Sequence, residues 1–581
     1  MVGSKSEVSV NKLLTAAATS VLTICAVSPS HANVSLKNGD FYISYTDIVY
    51  SGGFEPKIER VYNSKTSFNG IFGFGWGTDF EVYLEIHPEG AIIVHEYGGG
   101  ASKVFVPAGA KPLDLASAVD QIVAAARQNH DMASPSAIQA YGDRLISDID
   151  FRAREWDKYL KLGLVKPIKV PVGARFVSDR QEIMRTPLGY ERTFDSGRKE
   201  SFDERGRLTR ILDPNGNYVQ FGYGVRNRIQ IVDNYGRHIT IFLNDRKLVE
   251  RVEGDDGVAS TYSYDEHNNL TYNKDVDNHV FRYDYDPRHN MTKISYEDGT
   301  TMEVSYYPRE RYENVRSVKD RDGTVANYDY WIDLADRGHY CITVVADTSN
   351  HTISKSTYEY FNKRSASGVE YTSRLVSNID GEVTDTRYNE AGVPIFISRG
   401  DEKTAGHANV EDASGSANEE EAKLEYDSNG HVTRKETPTD ITDLEYDPRA
   451  NKVSYVRRTS KADPKDTTWS RYKYDDKGNL AEATNDSGLA VHLNYDGLGR
   501  ISELRRGGGT SITFRYNRIS KPVEICAIES QKMDCIEVTY TDSGKTKDVK
   551  STSGRQVALK VTSAFQELQD LIRPAGVDLS F

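Results

Sequence analysis

The 581-residue chain carries a formal net charge of −13 at pH 7, with 38% hydrophobic and 10% aromatic residues. An acidic surface repels phosphate backbones, which argues against nucleic-acid binding as the main role. Four cysteines cannot staple a chain of this length, so its stability has to come from burial.

The N-terminus reads as an export signal over residues 1–32. Lys5 and Lys12 precede an uncharged, mostly apolar run from Leu13 to Val27. Pro29 then breaks any helix, and Ser30-His31-Ala32 places small residues on both sides of His31. The run falls short of the roughly 18 apolar residues of a bilayer span, and no later segment reaches that length. Removing the leader, whose Lys5, Lys12 and Glu7 sum to +1, takes the net charge from −13 to −14. Cys25 does not mark a lipoprotein, because Ile24 stands where a small residue is needed. The expected location is therefore secreted, periplasmic or at the cell surface, with no membrane span after cleavage.

Residues 33–110 read as an N-terminal β block. It holds Arg60-Val61-Tyr62-Asn63-Ser64, and then Gly70-Ile71-Phe72-Gly73-Phe74-Gly75-Trp76, whose glycines allow tight turns beside large aromatics. From 111 to 165 helical spacing takes over. Leu115, Val119, Ile122 and Ala126 form one stripe and Leu145, Ile149, Trp156, Tyr159 and Leu160 another, which predicts a helical pair broken near Asn129–Pro135. Such an insertion serves as a lid on the β core or as a docking arm for a partner.

Repeats occupy 166–397 and 424–561. Tyr264-Asp265, Tyr285-Asp286 and Tyr306 are spaced by 21 residues, as are Tyr474-Asp475, Tyr495-Asp496 and Tyr516-Asn517. Phe202-Asp203 and Tyr223 repeat the interval, and Tyr426-Asp427 and Tyr446-Asp447 lie 20 apart. A fixed period in this range marks stacked units sharing one core. Within a unit, the aromatic–Asp pair leads into a Gly or Asn turn. An alternating strand, a second turn such as Asp213-Pro214-Asn215-Gly216-Asn217, and a returning strand follow. Tyrosine outnumbers phenylalanine 36 to 19, which suits rings packed in a layer with hydroxyls still reaching polar partners. The Asp after each Tyr reads as a turn cap rather than a catalytic acid.

The units YDDKGNL, YDGLGRI and FDERGRLT resemble the YD repeats of the bacterial RHS family, related to the shells of toxin complexes and teneurins. The Arg60–Trp76 block is similar to the opening of many RHS cores. The resemblance spans roughly Asn33 to Val561. It implies a mainly β fold: a YD-repeat β-hairpin spiral or partial shell, with a small helical insertion and a short C-terminal helix. It also implies that Phe202, Asp203, Tyr264, Asp265, Tyr285, Asp286, Tyr426, Asp427, Tyr446, Asp447, Tyr474, Asp475, Tyr495, Asp496 and Tyr516 are structural, repeat-defining residues.

Between the two repeat segments, residues 398–423 are polar, small and charged, as expected of a flexible loop. Its Arg399-Gly400-Asp401 triplet is short enough to arise by chance. Cys526 and Cys535 sit at facing ends of two short strands. A cross-hairpin disulfide, stabilising by about 2–3 kcal/mol, and a pair of buried thiols both stay open. Residues 562–581 predict a helix capped by Ser563 with Gln566, followed by a strand over GVDLSF, together a plug for the open end of the β spiral.

No motif for chemistry emerges: no HExxH, no GxSxG, no phosphate loop. Asp320-Arg321-Asp322-Gly323 and Asp275-Val276-Asp277-Asn278 begin like calcium loops without the downstream Glu. Catalytic residues, cofactors and metal ligands are therefore expected to be none. The expected role is an exported, non-enzymatic scaffold or binding protein whose partner is a protein or carbohydrate at the cell surface. The alternative is an RHS-type delivery or encapsulating component lacking its own toxin domain.

Overall fold

The computed structural model describes residues 32–50, 54–96, 101–109, 114–131, 134–166, 168–178, 180–224, 227–255, 257–333, 338–348, 351–364, 370–401, 420–517, 520–530, 532–540, 546–551 and 554–572. The expected signal segment before Ala32, the polar stretch 402–419 and the terminal GVDLSF lie outside these residues. The fold is mainly β, a long antiparallel hairpin sheet with a helical insertion and a C-terminal helix. It divides into two compact units, residues 43–278 and residues 1–42 with 279–581.

In the 43–278 unit, strands Tyr83–Ile86, Ile92–Glu96 and Ala101–Pro107 pair in turn, and the last of them pairs with Arg175–Ser178. From there each strand pairs with the next, through the hairpin of Ala259–Tyr264 and Leu270–Lys274. The expected boundary at residue 110 is thus not a sheet boundary: the last strands of the N-terminal block are the first of the repeat sheet. Their apolar residues Ile92, Val94 and Phe105 are fully buried, so the block finds its core by joining that sheet.

The insertion is three helices rather than a pair: α1 (Leu115–Gln128), α2 (Pro135–Ser147) and α3 (Ile149–Lys161). The spacing from Leu145 to Leu160 looked continuous, but Asp148 takes an extended conformation, ending α2 and capping α3 through Phe151 N–H at 2.8 Å. Ser134, followed by Pro135, caps α2 in the same way. Arg152 on α3 anchors the helices through Glu89, with Nη2 donating to Oε1 at 2.8 Å and both side chains buried.

In the other unit, successive hairpins run from Val280–Tyr285 to Thr546–Ser551. The region expected to be loop at 398–423 begins and ends in strand, Pro394–Asp401 pairing with Glu420–Tyr426. Polar composition there misled because a strand paired on both sides has its backbone satisfied without an apolar face. The C-terminal helix α4 spans Gly554–Ile572, starting well before the Ser563 cap that the sequence suggested. Val557, Val561, Ala564, Leu568 and Leu571 form one buried stripe that continues on both sides of exposed Ser563 and packs with Leu493, Leu504 and Ile512 of the sheet. Each fully buried Leu or Ile of this kind contributes about 2 kcal/mol, which outweighs a local capping preference.

Candidate functional site

The repeat-defining residues all fall at one place in the hairpin. Phe202, Tyr264, Tyr285, Tyr426, Tyr474, Tyr495 and Tyr516 are each the last residue of a strand, and Tyr446 is next to last in its strand. At each of them the ladder register shifts by a β-bulge, as between Asn494 and Tyr495.

The following Asp holds the turn. Asp475 Oδ1 accepts from Lys477 N at 2.9 Å and Asn479 N at 2.8 Å, while Oδ2 accepts from Asn479 Nδ2 at 2.9 Å. Asp265 and Asp286 do the same with Asn269 and Asn290. Asp203 and Asp496 use the Nε of Arg207 and Arg500 instead, and Asp427 uses His431 Nδ1. Asp447 departs slightly, accepting from Arg449 N and Ala450 N. The third turn position is left-handed, with Gly478 at φ 80° and Gly499 at φ 76°; Asn268 and His289 fill it elsewhere. Burial pushes the Asp475 carboxyl up, but the hydrogen bonds from Asn479 and Lys477 bring it below its ordinary value. Asp265 and Asp427 follow the same balance, and the Ala450 and Arg449 amides lower Asp447. The residue four after each Asp, which grips the second carboxylate oxygen, escaped the sequence reading; its constant spacing behind the Asp was the available signal.

The tyrosine hydroxyl reaches backwards. Tyr495 donates to Leu480 O, Tyr516 to Ile501 O, Tyr223 to Leu208 O (each 2.8 Å) and Tyr306 to Met291 O at 2.9 Å. Tyr446 and Tyr540 reach Val432 O at 3.0 Å and Pro522 O at 2.8 Å. Each of these carbonyls belongs to the first residue of a strand just after an earlier turn, where the bulge has displaced the ladder. In each of these six pairs an earlier unit is latched by a later one.

The opening block docks on this row of turns within its unit. Phe74 N donates to Asn268 O at 3.0 Å, Val249 N to Ile71 O at 2.7 Å, and Leu84 N to Gly206 O at 2.8 Å. A Cβ on Gly73 would lie 2.3 Å from Asn268 O, so the glycine is required by close approach. Arg60, fully buried, donates to Asp47 Oδ2 at 2.7 Å and Asn273 Oδ1 at 2.8 Å, and its guanidinium lies over the Tyr45 and Trp76 rings.

Between this block and the first repeat strands lies a cleft of 830 Å³. Its wall carries Lys57, Lys103, Arg192 and Arg198 against Glu59, Asp79, Glu96 and Glu200. Buried Arg192 donates to Glu96 at 2.6 Å, Glu200 at 3.1 Å and Gln181 Oε1 at 2.9 Å, and Arg198 donates to Glu200 Oε1 at 2.6 Å. Burial pushes the Asp79 carboxyl up to about 6, against the pull of Lys57. Its neighbour in sequence, Glu81, is pushed by burial to about 7 while accepting from Ile71 N. Nearby, hydrogen bonds from His87 and His95 hold Glu85 down at about 2. The sequence did not reveal the cleft, since its members run from Phe54 to Ile211 with no local spacing in common.

Cys526 and Cys535 face each other across one rung and are disulfide-bonded; among the described residues Cys341 is a free, half-buried thiol. Among the described residues no cluster of His, Cys, Asp and Glu is arranged to hold a metal, and no helix is long and apolar enough to cross a membrane.

Fold and turn chemistry together define a hairpin-repeat protein whose units are set by an aromatic–Asp pair. Family models match in three places: RHS Repeat over 202–238, Teneurin YD-shell over 407–556, and a domain of unknown function, DUF6531, over 31–103. The chain thus carries segments that match the RHS Repeat and Teneurin YD-shell families. Among solved structures it is similar to that of TcdB2-TccC3-Cdc42, at 10% identity and TM-score 0.45, covering 91% of this chain and 35% of that one. It is also similar to TcdB2-TccC3 without the hypervariable C-terminal region, at 11% identity and TM-score 0.40, covering 92% and 37%. The Photorhabdus luminescens Tc holotoxin pore is similar at 11% identity and TM-score 0.39, covering 62% and 22%. The chain thus spans about a third or less of the solved chains just compared. No curated protein matches it.

Proposed function

We propose that the chain is an exported, non-enzymatic scaffold that holds a protein or carbohydrate partner at the cell surface or in the envelope. One observation carries this reading: the repeated Asp and Tyr side chains are spent on the fold. Asp475 engages three donors of its own turn and Tyr495 a carbonyl of an earlier unit. A carboxylate saturated by its own turn is poorly placed for general acid–base work, which needs a proton to move. The apolar leader supports export.

The test is expression of the tagged full chain in a secreting Gram-negative host, followed by fractionation and in-cell cross-linking. The expected result is recovery outside the cytoplasm, retention in the cytoplasm on deleting residues 1–32, and a defined cross-linked partner. Cytoplasmic recovery of the full chain sinks the export claim, and shortening of polysaccharide or peptidoglycan chains by the purified protein sinks the non-enzymatic one. A second reading, an encapsulating component of a toxin system, draws on the Teneurin YD-shell match over 407–556. A small toxin that co-purifies and becomes protease-resistant would favour it.

A further inference from the structure

We propose that the cleft between the opening block and the first repeat strands is a binding site for a neutral oligosaccharide. This deepens the scaffold reading, on which it rests. At 830 Å³ the cleft is large enough for an organic ligand, since such sites run from about 300 to 1,000 Å³. Its four cationic and four anionic side chains cancel, so the wall attracts neither sign. Most are already matched: Lys57 with Glu59, Arg192 with Glu96 and Glu200, and Arg198 with Glu200. A charged ligand would have to take one partner from these pairs and leave the other uncompensated.

What the wall offers instead is acceptors and donors together with the apolar side chains of Phe54, Val82, Phe194 and Ile211. Sugar hydroxyls donate and accept from the same atom, and the C–H face of a pyranose packs on an aromatic ring. Both demands are met by one uncharged ligand. An extended peptide fits less well. It would bind by adding a strand to a free edge, and the strands that carry Glu96, Lys103, Gln181, Arg192 and Glu200 are paired on both sides.

The test is calorimetric titration of the full chain with maltohexaose, cellohexaose, xylohexaose and chitohexaose. A hyaluronan hexasaccharide and a mixed-charge octapeptide serve as the anionic and peptide arms. The expected result is saturable one-to-one binding of at least one neutral hexasaccharide, weakened tenfold or more by Phe54→Ser and by Asp79→Ala. Lys473→Ala, on an exposed side chain of the other unit, should leave it unchanged. Phe54→Ser carries the result if Asp79→Ala lowers the melting temperature sharply. Saturation by none of the four neutral sugars overturns the proposal, as does tighter binding of hyaluronan or peptide, or full affinity in both variants. Failure of the scaffold reading is separable: saccharide binding would persist while the cross-linked partner is absent.

Discussion

Within the unit that ends in α4, two stretches of sheet obey different rules. Around Tyr474 to Tyr516 the strands are short, as in Ala490–Tyr495, and alternate between buried and exposed residues. From Val325 to Asp401 they lengthen, to 13 residues in Thr352–Arg364, and Glu370–Ile379 is half-buried along most of both faces. The first stretch closes its turns with clamped aspartates. The second uses a two-residue turn at Asp380-Gly381, with both φ values positive, and carries its charge in ladder pairs such as Arg374–Asp385 at 2.9 Å. The difference teaches that the Asp clamp, rather than the bulge alone, goes with short strands: Thr352–Arg364 is bulged between Phe361 and Asn362 yet runs on for 13 residues, and the one-sided core thins out.

The contrast can be broken first at the core. Leu504→Ala, at a fully buried position under α4, should cost about 3 kcal/mol, against about 1 kcal/mol for half-buried Leu375→Ala. Denaturant midpoints with unchanged slope would show it, and equal costs would refute a one-sided core. Next comes the clamp. Asp475→Ala leaves three donors unpaired and should cost about 2 kcal/mol, whereas Asp385→Ala removes a ladder pair worth about 1 kcal/mol. The tyrosine latch is smaller: Tyr495→Phe should lose about 1 kcal/mol, and Tyr371→Phe in the long strands close to nothing. The subtlest test is acid. Asp265, Asp427, Asp447 and Asp475 have depressed folded-state values. They stabilise fully above the unfolded value of about 3.9, and that contribution fades as pH falls through the folded values. Hydrogen exchange compared at pH 7 and pH 3, corrected for intrinsic rate, should show turn amides such as Asn479 losing protection before those of Thr357 and Asn378. Simultaneous loss would deny the clamp its role.

The turns were the most legible part of the sequence because what they need is local, an Asp and a left-handed residue three on; the gripping side chain four on escaped because Asn, Arg and His all serve there. The tyrosine latch was half legible. The ring could be read from composition, but its acceptor, a backbone carbonyl fifteen residues away in the case of Tyr495, has no residue type. The long strands escaped because residues such as Thr357, Glu359 and Asn378 serve a sheet with no apolar face to display a period of two. The start of α4 escaped for the opposite reason, a plausible Ser563 cap lying mid-helix on the exposed side of a stripe that burial had already chosen. The cleft was invisible because three separate strand groups have to fold before Lys57, Glu96 and Arg198 share a wall.

The backward reach of the tyrosine gives the array a direction of completion. A unit whose strands and turn are already formed still lacks one bond until the chain beyond it arrives, as Leu480 waits for Tyr495 and Ile501 for Tyr516. During synthesis the growing end is therefore always the loosest part, and order trails the emerging chain by one unit. Tyr472, two residues before the end of its strand, donates to Leu571 O at 2.8 Å, so α4 is likewise bonded to a strand that precedes it in the chain.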